Sequence, residues 1–364
     1  YCEELEAKRQ RVQDALQRIG GADIDVTEIL GSEETTHYRN KSQFPISADG
    51  KVGFYRARSH DVIATTDCLL QTPQAGAIAA AVESSMREFS VSAYNEKTGK
   101  GLLRHIYVRT NCEGAALVCL IVNGKKLPRE DELVQRIRTA CADTVGVVLN
   151  VNTKDTNVIL GDTYRTLWGE DTLMDTLCGL TYRLSIPSFY QVNRPQAQRL
   201  YAKAVELAQL TGTETVLDLY CGAGTITLVM AQKAKRAIGA EIVPEAIEDA
   251  KANAARNGID NAEFIVGATE DVLPRLIAQG MRPDVIVVDP PRKGCEAAVL
   301  QAIIESQPER VVYVSCGAPT LARDAKILTE GGYRAEKVQC VDMFCWTGAV
   351  ETVMLFERDS TAQD

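Results

Sequence analysis

The sequence predicts an α/β fold, in which an open, mostly parallel sheet is preceded by a smaller α+β region. Two observations support this prediction. From about Pro195 onward, apolar runs of strand length alternate with segments of helical spacing, an order typical of a parallel sheet covered by helices. From about Tyr38 to Leu184, short β-rich runs alternate with turns, as expected for a largely antiparallel sheet with helices beside it.

The first part of the chain has helical periodicity. Apolar residues recur on one side of the segment Glu3–Ile19 among charged and amide side chains, and two glycines follow it. We therefore predict a helical segment at 1–34, an α+β middle domain at 35–184 and an α/β domain at 185–364. The chain opens with Tyr1 rather than Met, so we expect it to be a fragment of a longer product.

The middle domain is predicted from its alternating short runs. The predicted strands are Lys51–Tyr55, Leu103–Arg109, Ala115–Val122, Val145–Asn152 and Thr181–Ile186. The predicted helices are Gln74–Phe89 and Arg129–Ala142.

In the α/β domain, the stretch VLDLYCGAGTITL (Val216–Leu228) joins an apolar run, a turn with two glycines and the start of a helix. Gly222 and Gly224 let the backbone approach a ligand closely, although such turns are often only turns. The spacing differs from the dinucleotide motif G-x-G-x-x-G, which predicts a different nucleoside cofactor. Glu241 ends a second short strand about twenty residues later, where a carboxylate binds a ribose diol in such folds.

Two later apolar runs also end in reactive or polar groups. The run before Asp289 leads into Asp-Pro-Pro-Arg-Lys-Gly (Asp289–Gly294), and the run after Arg310 ends in Ser-Cys at Cys316. Ligands of open parallel sheets bind outside the carboxyl ends of the strands. We therefore expect these strand ends to meet at one crevice.

The composition fits a globular protein, with 45% hydrophobic and 24% charged residues. The net charge of −9 argues mildly against a protein that coats nucleic acid, although it leaves room for a local basic face. Eleven cysteines without regular spacing favour a reducing compartment, so we expect a cytoplasmic protein, and no apolar run approaches a membrane span. Three basic groups are either a binding face or simply solvated, namely Lys8-Arg9 with Arg11, Arg56 with Arg58 and His60, and Lys125-Lys126 with Arg129. Arg292-Lys293 is the exception, because it follows a strand end in the expected crevice.

These motifs together resemble those of the RNA uracil-5 methyltransferases that use S-adenosylmethionine. The resembling segments are Ser188–Asn193 (SFYQVN), Asp218–Gly224, Glu241, Asp289–Gly294, Ser315-Cys316 with Thr320–Asp324 (TLARD), Asp342–Phe344 with Val350-Glu351, and, more weakly, Tyr38–Pro45. The resemblance implies a Rossmann-like class I methyltransferase domain with S-adenosylmethionine as cofactor. It also implies a set of site residues: Gln191, Tyr220, Glu241 and Asp289 as cofactor contacts, Cys316 as nucleophile and Glu351 as base.

The chemistry explains why a cysteine and a carboxylate are needed. Addition of a thiolate to C6 of uracil makes C5 nucleophilic toward a methyl sulfonium, and a base must then remove the C5 proton so that the thiolate leaves. Cys316 closes a buried strand and Glu351 opens the last apolar strand, so both can lie at one crevice. Their plainer interpretations are an inert buried thiol and a solvated acid, and Tyr220 is equally well interpreted as a core residue.

The same motifs indicate the acceptor. Arg292 follows Asp289-Pro-Pro where amino-methylating enzymes carry an aromatic residue, and no Pro-Cys pair typical of cytosine-5 enzymes lies there. The resemblance therefore favours uracil, and we expect a uridine of structured RNA to become 5-methyluridine, in 23S ribosomal RNA ahead of the transfer RNA T-loop. We expect this base to be extruded from its stack, the middle domain to contact the RNA, and no membrane or obligate protein partner.

Two departures and one cysteine leave alternatives open. Gly317 stands where the family commonly has Asn, and Ala349 where it commonly has His, which leaves a non-catalytic RNA-binding or assembly factor as an alternative. Cys68 resembles the fourth ligand of a 4Fe-4S cluster found in related proteins, so a cluster is expected only in a longer form. The other cysteines lack metal-ligand spacing and the chain has three His, so we predict no metal site in this chain.

Overall fold

The computed structural model describes residues 1–359. The helices in this range are α1 (Cys2–Arg18), α2 (Pro73–Glu88), α3 (Glu130–Ala140), α4 (Arg194–Ala208), α5 (Thr225–Ala231), α6 (Pro244–Arg256), α7 (Thr269–Ala278), α8 (Ala297–Ser306) and α9 (Ala318–Glu330). The strands are β1 (Ile29–Leu30), β2 (Lys41–Pro45), β3 (Gly53–Tyr55), β4 (Val62–Ala64), β5 (Leu103–Thr110), β6 (Ala116–Val122), β7 (Thr144–Val151), β8 (Thr163–Gly169), β9 (Thr172–Leu177), β10 (Leu180–Ser185), β11 (Thr215–Leu219), β12 (Arg236–Glu241), β13 (Ala262–Val266), β14 (Val285–Val288), β15 (Arg310–Ser315), β16 (Tyr333–Val341) and β17 (Glu351–Arg358). In the described range, every helix is too short or too polar to cross a membrane.

The chain divides into two compact units. We call them the α/β unit, with residues 1–33, 177–181 and the chain from Pro195 onward, and the middle unit, with residues 34–176 and 182–194. The segment 1–33 is thus part of the α/β unit rather than a separate piece. Residues 185–194, which the sequence groups with the α/β domain, belong to the middle unit.

The α/β unit is built on a sheet whose strand order, over the described residues, is β1-β16-β17-β15-β14-β11-β12-β13. Strands β11 to β15 pair in parallel, whereas β17 lies antiparallel between β15 and β16. Parallel strands end at one edge of a sheet, and an antiparallel strand begins at that edge. The carboxyl ends of β11, β12, β14 and β15 therefore lie at the same edge as the start of β17, and the predicted Rossmann-like α/β fold is confirmed.

The core of the α/β unit explains why its strands are continuous apolar runs. All four residues of Val285–Val288 are buried, as expected for a strand covered by helices on both faces. Leu300 of α8 and Leu321 of α9 belong to the same core cluster, and α1 joins it through Val12 and Leu16. Each fully buried side chain of this kind contributes about 1.5–3 kcal/mol, so the apolar stripe of α1 binds it firmly to this unit.

The middle unit contains a sheet of order β2-β5-β6-β7-β8 in the described range. Its pairings are antiparallel except for β6 with β7, which are parallel and joined through α3. Helices α2 and α3 cover one face, where Ile78 and Ile137 pack with Ile106 and Leu120 in one cluster. The predicted helices and most predicted strands of this domain are present within one or two residues. The predicted strands omit β2, β4, β8 and β9. Of these, β8 is hard to recognise because this edge strand is polar and largely exposed.

Candidate active site

Four of the predicted site residues lie at the strand ends of the α/β unit. Glu241 is the last residue of β12, Asp289 directly follows β14, and Cys316 directly follows β15. Glu351 is the first residue of β17. These four side chains therefore come from one edge of one sheet, which is the edge where open parallel sheets bind ligands.

Cys316 and Glu351 are neighbours across the β15–β17 pair. The last pair of this antiparallel register is Ser315 with Thr352. Cys316 directly follows Ser315 and Glu351 directly precedes Thr352, so both residues lie at the same end of the pair. The Glu351 carboxyl is close enough for its charge to raise the pKa of the Cys316 thiol. Glu351 is buried and Cys316 is half-buried, so the thiol is the more accessible of the two groups.

The ionisable groups beside the thiol act on one another. Burial raises the pKa of Cys316, the carboxyls of Glu351 and Asp289 raise it further, and the Arg292 guanidinium lowers it. Burial also raises the pKa of Glu351 to about 7, against a lowering by Arg292. The pKa of Asp289 lies well above its ordinary value because of burial and the neighbouring carboxyls of Glu351 and Asp218. The crevice therefore disfavours negative charge except where Arg292 offsets it.

The loop that carries Arg292 is anchored by a network around the buried Asp324. Tyr313 Oη donates to Asp324 Oδ2 at 2.6 Å, and the backbone N–H of Cys295 donates to the same oxygen at 2.8 Å. The side chain of Arg323 donates to Asp324 Oδ1 at 2.7 Å and to the carbonyl of Lys293 at 3.0 Å. The loop that carries Arg292 is thereby tied to β15 and α9.

Asp218 is fully buried inside β11. Thr227 Oγ1 donates to its Oδ2 at 2.6 Å, while Oδ1 has no hydrogen-bond partner within residues 1–359. Burial raises the pKa of Asp218 to about 7, the hydrogen bonds of Thr227 lower it and the charge of Glu241 raises it. Since buried polar atoms are normally paired, this oxygen is available to a donor that a ligand would bring.

The turn after β11 is formed by residues of positive φ. The φ angles are 88° at Tyr220, 53° at Gly222 and 81° at Gly224. A Cβ at position 224 would also approach the ring of Phe264 to 3.0 Å, so this position requires glycine for both conformation and space. The turn therefore presents bare backbone beside β12.

Glu241 is held in a fixed orientation by backbone amides. The N–H of Gly222 donates to its Oε2 at 3.2 Å and that of Val243 to its Oε1 at 3.0 Å. The carboxylate stays partly exposed, and the next side chain, Ile242, is 64% exposed. An oriented carboxylate suits a ribose diol and an exposed apolar side chain suits an adenine ring, so these residues fit the adenosyl group of S-adenosylmethionine.

Helix α1 holds the loop that leads into β17. Lys8 Nζ contacts Asp342 Oδ1 and Glu4 Oε1, both at 2.6 Å, and Tyr1 Oη donates to Asp342 Oδ2 at 2.6 Å. Glu4 Oε1 also accepts the backbone N–H of Trp346 at 2.7 Å. Lys8 and Asp342 are almost completely buried, so this ion pair joins the start of the chain to the approach of Glu351.

Comparison with known proteins decides the family. The family described as tRNA (uracil-5-)-methyltransferase matches residues 1–359. The chain belongs to this family. Its resemblance to RNA uracil-5 methyltransferases that use S-adenosylmethionine is thus confirmed, whereas the ribosomal type stays a prediction.

Individual relatives agree with this assignment. An uncharacterized RNA methyltransferase of Clostridium acetobutylicum is 46% identical over 365 residues, covering 98% of this chain and 79% of the relative. An uncharacterized RNA methyltransferase of Halalkalibacterium halodurans is 46% identical over 362 residues, covering 98% of this chain and 79% of the relative. A solved structure, the tRNA (uracil-54, C5)-methyltransferase of Pyrococcus abyssi in complex with S-adenosyl-L-homocysteine, is 28% identical with a TM-score of 0.84 and covers 98% of this chain and 83% of that chain.

Two predicted cofactor contacts of this uracil-5 methyltransferase, Gln191 and Tyr220, make other contacts in the structure. Gln191 belongs to the middle unit, where its carbonyl accepts a hydrogen bond from Asn40 Nδ2 at 2.9 Å. Tyr220 is partly buried and packs against the core, and burial raises the pKa of its hydroxyl. Both residues therefore stay predictions as cofactor contacts.

Several residues of the methyltransferase site were absent from the set predicted by the resemblance. Asp218 was visible in the sequence only as an acid near a strand end, and its burial gives no sequence signal. The sequence identifies Arg292 as a basic residue after a strand end, but it does not predict the effect of Arg292 on the pKa of Cys316. Ile242 could have been found as an apolar side chain directly after the ribose-binding acid.

The two departures from the family pattern are accommodated locally. Gly317 has an ordinary extended conformation, and a Cβ there would approach Thr320 Oγ1 to 2.8 Å, so a larger side chain would displace Thr320. Ala349 donates its N–H to Thr347 Oγ1 at 3.2 Å.

Cys68 is a half-buried thiol, and in the described part of the chain no three His, Cys, Asp or Glu side chains are arranged to hold a metal ion.

Proposed function

We propose that this methyltransferase transfers a methyl group to C5 of a uridine in structured RNA, with Cys316 as nucleophile and Glu351 as base. The observation that carries the proposal is the β15–β17 pairing, because a half-buried thiol directly follows β15 and a buried carboxyl begins β17 at the same end of this pair. The all-thiol state of the eleven cysteines agrees with action in the reducing cytoplasm.

The proposed reaction has two stages. Cys316, as the thiolate, forms a bond to C6 of the uracil, and the electron pair of the C5–C6 double bond moves away from C6 and makes C5 nucleophilic. S-adenosylmethionine, when bound, would supply the methyl group that C5 takes and would leave as the neutral thioether S-adenosylhomocysteine. Glu351 then removes the proton from C5, the C6–S bond breaks, and the thiolate of Cys316 is released with the 5-methyluridine.

The electrostatics of the crevice suit these roles. A pKa of about 7 for Glu351 lets this carboxyl accept a proton near neutral pH and release it again. The raised pKa of Cys316 keeps it a thiol until a base or Arg292 favours the thiolate. Both features predict a reaction that becomes faster as the pH rises from 6 to 8 or so.

For the cofactor, we propose contacts from Glu241, Asp289, Tyr220 and Gln191. Glu241 is supported by its partly exposed, amide-held carboxylate. Asp289 is supported by its position directly after β14, next to the strand-order reversal at β11 where cofactors bind such sheets. Tyr220 and Gln191 rest on the family resemblance.

For the RNA, we propose that the middle domain 35–184 makes the main contacts outside the crevice. Its exposed basic residues include Arg56, Arg58, Lys125 and Lys126. The target uridine must leave its stack to reach Cys316, and unpaired loops allow this at the lowest cost.

We propose 23S ribosomal RNA as the acceptor, on the resemblance of the segment around Cys68 to the ribosomal type. Transfer RNA is the second candidate. It is favoured by the description of the matched family and by the Pyrococcus abyssi enzyme, which is named for uracil 54 of transfer RNA.

A covalent trapping experiment tests both the mechanism and the acceptor. The protein is incubated with S-adenosylmethionine and with 23S ribosomal RNA or transfer RNA in which 5-fluorouracil replaces uracil. Fluorine at C5 cannot leave as a proton, so an enzyme that uses Cys316 as nucleophile remains bound through a denaturing gel. We expect the complex with one RNA only, and its loss in Cys316→Ala.

The matched control is Cys112→Ala, which removes an exposed thiol of the middle unit. This variant should form the complex like the parent protein. If neither RNA gives a complex although S-adenosylmethionine binds, the proposal is wrong for both acceptors, and the result favours a non-catalytic RNA-binding factor or a different acceptor.

A further inference from the structure

Three cations meet at one end of the β2–β5 pair in the middle unit. Lys41, the first residue of β2, is directly opposite Arg109 of β5. Arg39 lies two residues before Lys41, and its charge acts on Lys41. Arg39, Lys41 and Arg109 therefore lie close together.

Arg109 is an unusual member of this cluster because it is only 1% exposed. Its Nη2 donates to Tyr107 Oη at 2.7 Å and to the Ser188 carbonyl at 2.6 Å. Its Nε and Nη1 have no hydrogen-bond partner anywhere in residues 1–359. Buried charges are normally paired, so a buried guanidinium with unpaired N–H groups is a costly arrangement.

The surroundings of Lys41 show that the cluster is positive rather than neutralised. Burial lowers the pKa of Lys41, and the charges of Arg109 and Arg39 lower it further. The chain as a whole carries a net charge of −9, yet the charges that act on this lysine are positive. An anion bound here would offset the repulsion among the three groups.

We infer that Arg39, Lys41 and Arg109 form a phosphate-binding site for the backbone of the substrate RNA. Lys41 and Arg39 are partly exposed and contact the phosphate oxygens, whereas Arg109 lies buried behind them and adds its charge. A phosphodiester supplies one negative charge and several acceptors, which is what this cluster lacks. The inference rests on the proposed contact between the middle domain and RNA, and it assigns that contact to particular residues.

The salt dependence of RNA binding tests this inference in the full chain. Lys41→Met should weaken binding of an unmodified 23S ribosomal RNA or transfer RNA transcript by about tenfold at low salt. The slope of log affinity against log salt should fall by about 0.7–0.9, the value for one lost phosphate contact. Arg39→Gln, a second variant at the exposed part of the cluster, should reduce the slope similarly.

The matched control is Lys154→Met, which removes the same charge from an exposed lysine of the middle unit that already pairs with Asp162. Its salt slope should equal that of the parent protein. Lys41→Met should also be at least as stable as the parent in urea, because the removed charge is repelled in the folded state. A merely structural lysine would instead lose stability and keep its slope.

Two results would overturn the inference. One is an unchanged salt slope in Lys41→Met and Arg39→Gln. The other is weaker binding of S-adenosylmethionine with unchanged RNA binding, which would assign the cluster to a carboxylate of the cofactor. Formation of the 5-fluorouracil complex is measured separately, so a failure of the catalytic proposal would be recognised independently of the salt slopes.

Discussion

Replacement of Glu351 by Gln should make the protein more stable at pH 8, although it removes the proposed base. Glu351 is 5% exposed, and burial raises its pKa from an ordinary 4.5 to about 7. Between these two pH values the folded state holds a proton that the unfolded state has released. Stability therefore falls as the pH rises through this window, and it does not recover above it.

The size of the effect follows from the two pKa values. At about 1.4 kcal/mol per pH unit, the charged carboxylate costs the folded state about 3 kcal/mol at pH 8 and about 1 kcal/mol at pH 5. Gln resembles the protonated carboxyl in shape and carries no charge, so Glu351→Gln should recover most of this amount. A gain this large from one neutral substitution is unusual, since most substitutions destabilise.

Urea unfolding of the parent protein and Glu351→Gln at pH 8 and pH 5 measures the effect. Glu357→Gln is the matched control, because this glutamate lies on the same strand but is partly exposed. It should change the free energy of unfolding by less than about 0.5 kcal/mol at either pH. The reasoning fails if Glu351→Gln is no more stable than the parent at pH 8, or if its gain is as large at pH 5.

Three further predictions concern the same unit. With ordinary RNA, Glu351→Gln should accumulate a methylated covalent complex because the C5 proton is not removed. The complex is seen as a labelled band on a denaturing gel. Release of methylated RNA at the parental rate would exclude Glu351 as the base. Lys8→Met should lower the free energy of unfolding in urea by about 3 kcal/mol, because it leaves the buried carboxylate of Asp342 without its cation. Adding Asp342→Asn should restore part of this stability. An unchanged unfolding midpoint in Lys8→Met would contradict the expectation. Thr227→Val should cost about 1–3 kcal/mol in thermal or urea unfolding, because it removes the donor to the buried Asp218; a neutral result would mean that the 2.6 Å contact contributes little.

The sequence predicts the strands of the α/β unit where burial on both faces leaves a continuous apolar run. The run at Val285–Val288 is an example, because every residue of β14 is buried. β16 is less evident because polar residues alternate with apolar ones in Tyr333–Val341, where the strand is only partly covered. The two residues of β1 are too few to produce a pattern, and only pairing with β16 defines this strand.

The candidate site is predictable from the sequence only as a set of strand ends. That Glu241 and Asp289 share an edge follows from the parallel alternation of strands and helices. That Glu351 lies beside Cys316 requires β17 to enter the sheet antiparallel next to β15, which no local pattern encodes. The family resemblance supplied this pair, and the register now gives it a physical basis.

The packing partner of α1 is likewise not predictable from a local sequence pattern. Leu16 and its neighbours predict a helix with one buried face, but they do not identify the surface that covers it. That surface is formed by residues that follow much later in the chain, including Leu321 of α9. Long-range packing of this kind is set by the whole fold and is not visible in a short window of sequence.

The position of β17 in the sheet has a consequence for how the protein is made. This strand is the last in the described chain, yet it lies in the interior of the sheet between β15 and β16. A nascent chain that ends at β16 therefore lacks the strand that lies between β15 and β16. The loop that Lys8 contacts is also incomplete at this stage. Assembly of the α/β unit must await synthesis of β17, and the residue proposed as the base arrives with the strand that completes the sheet.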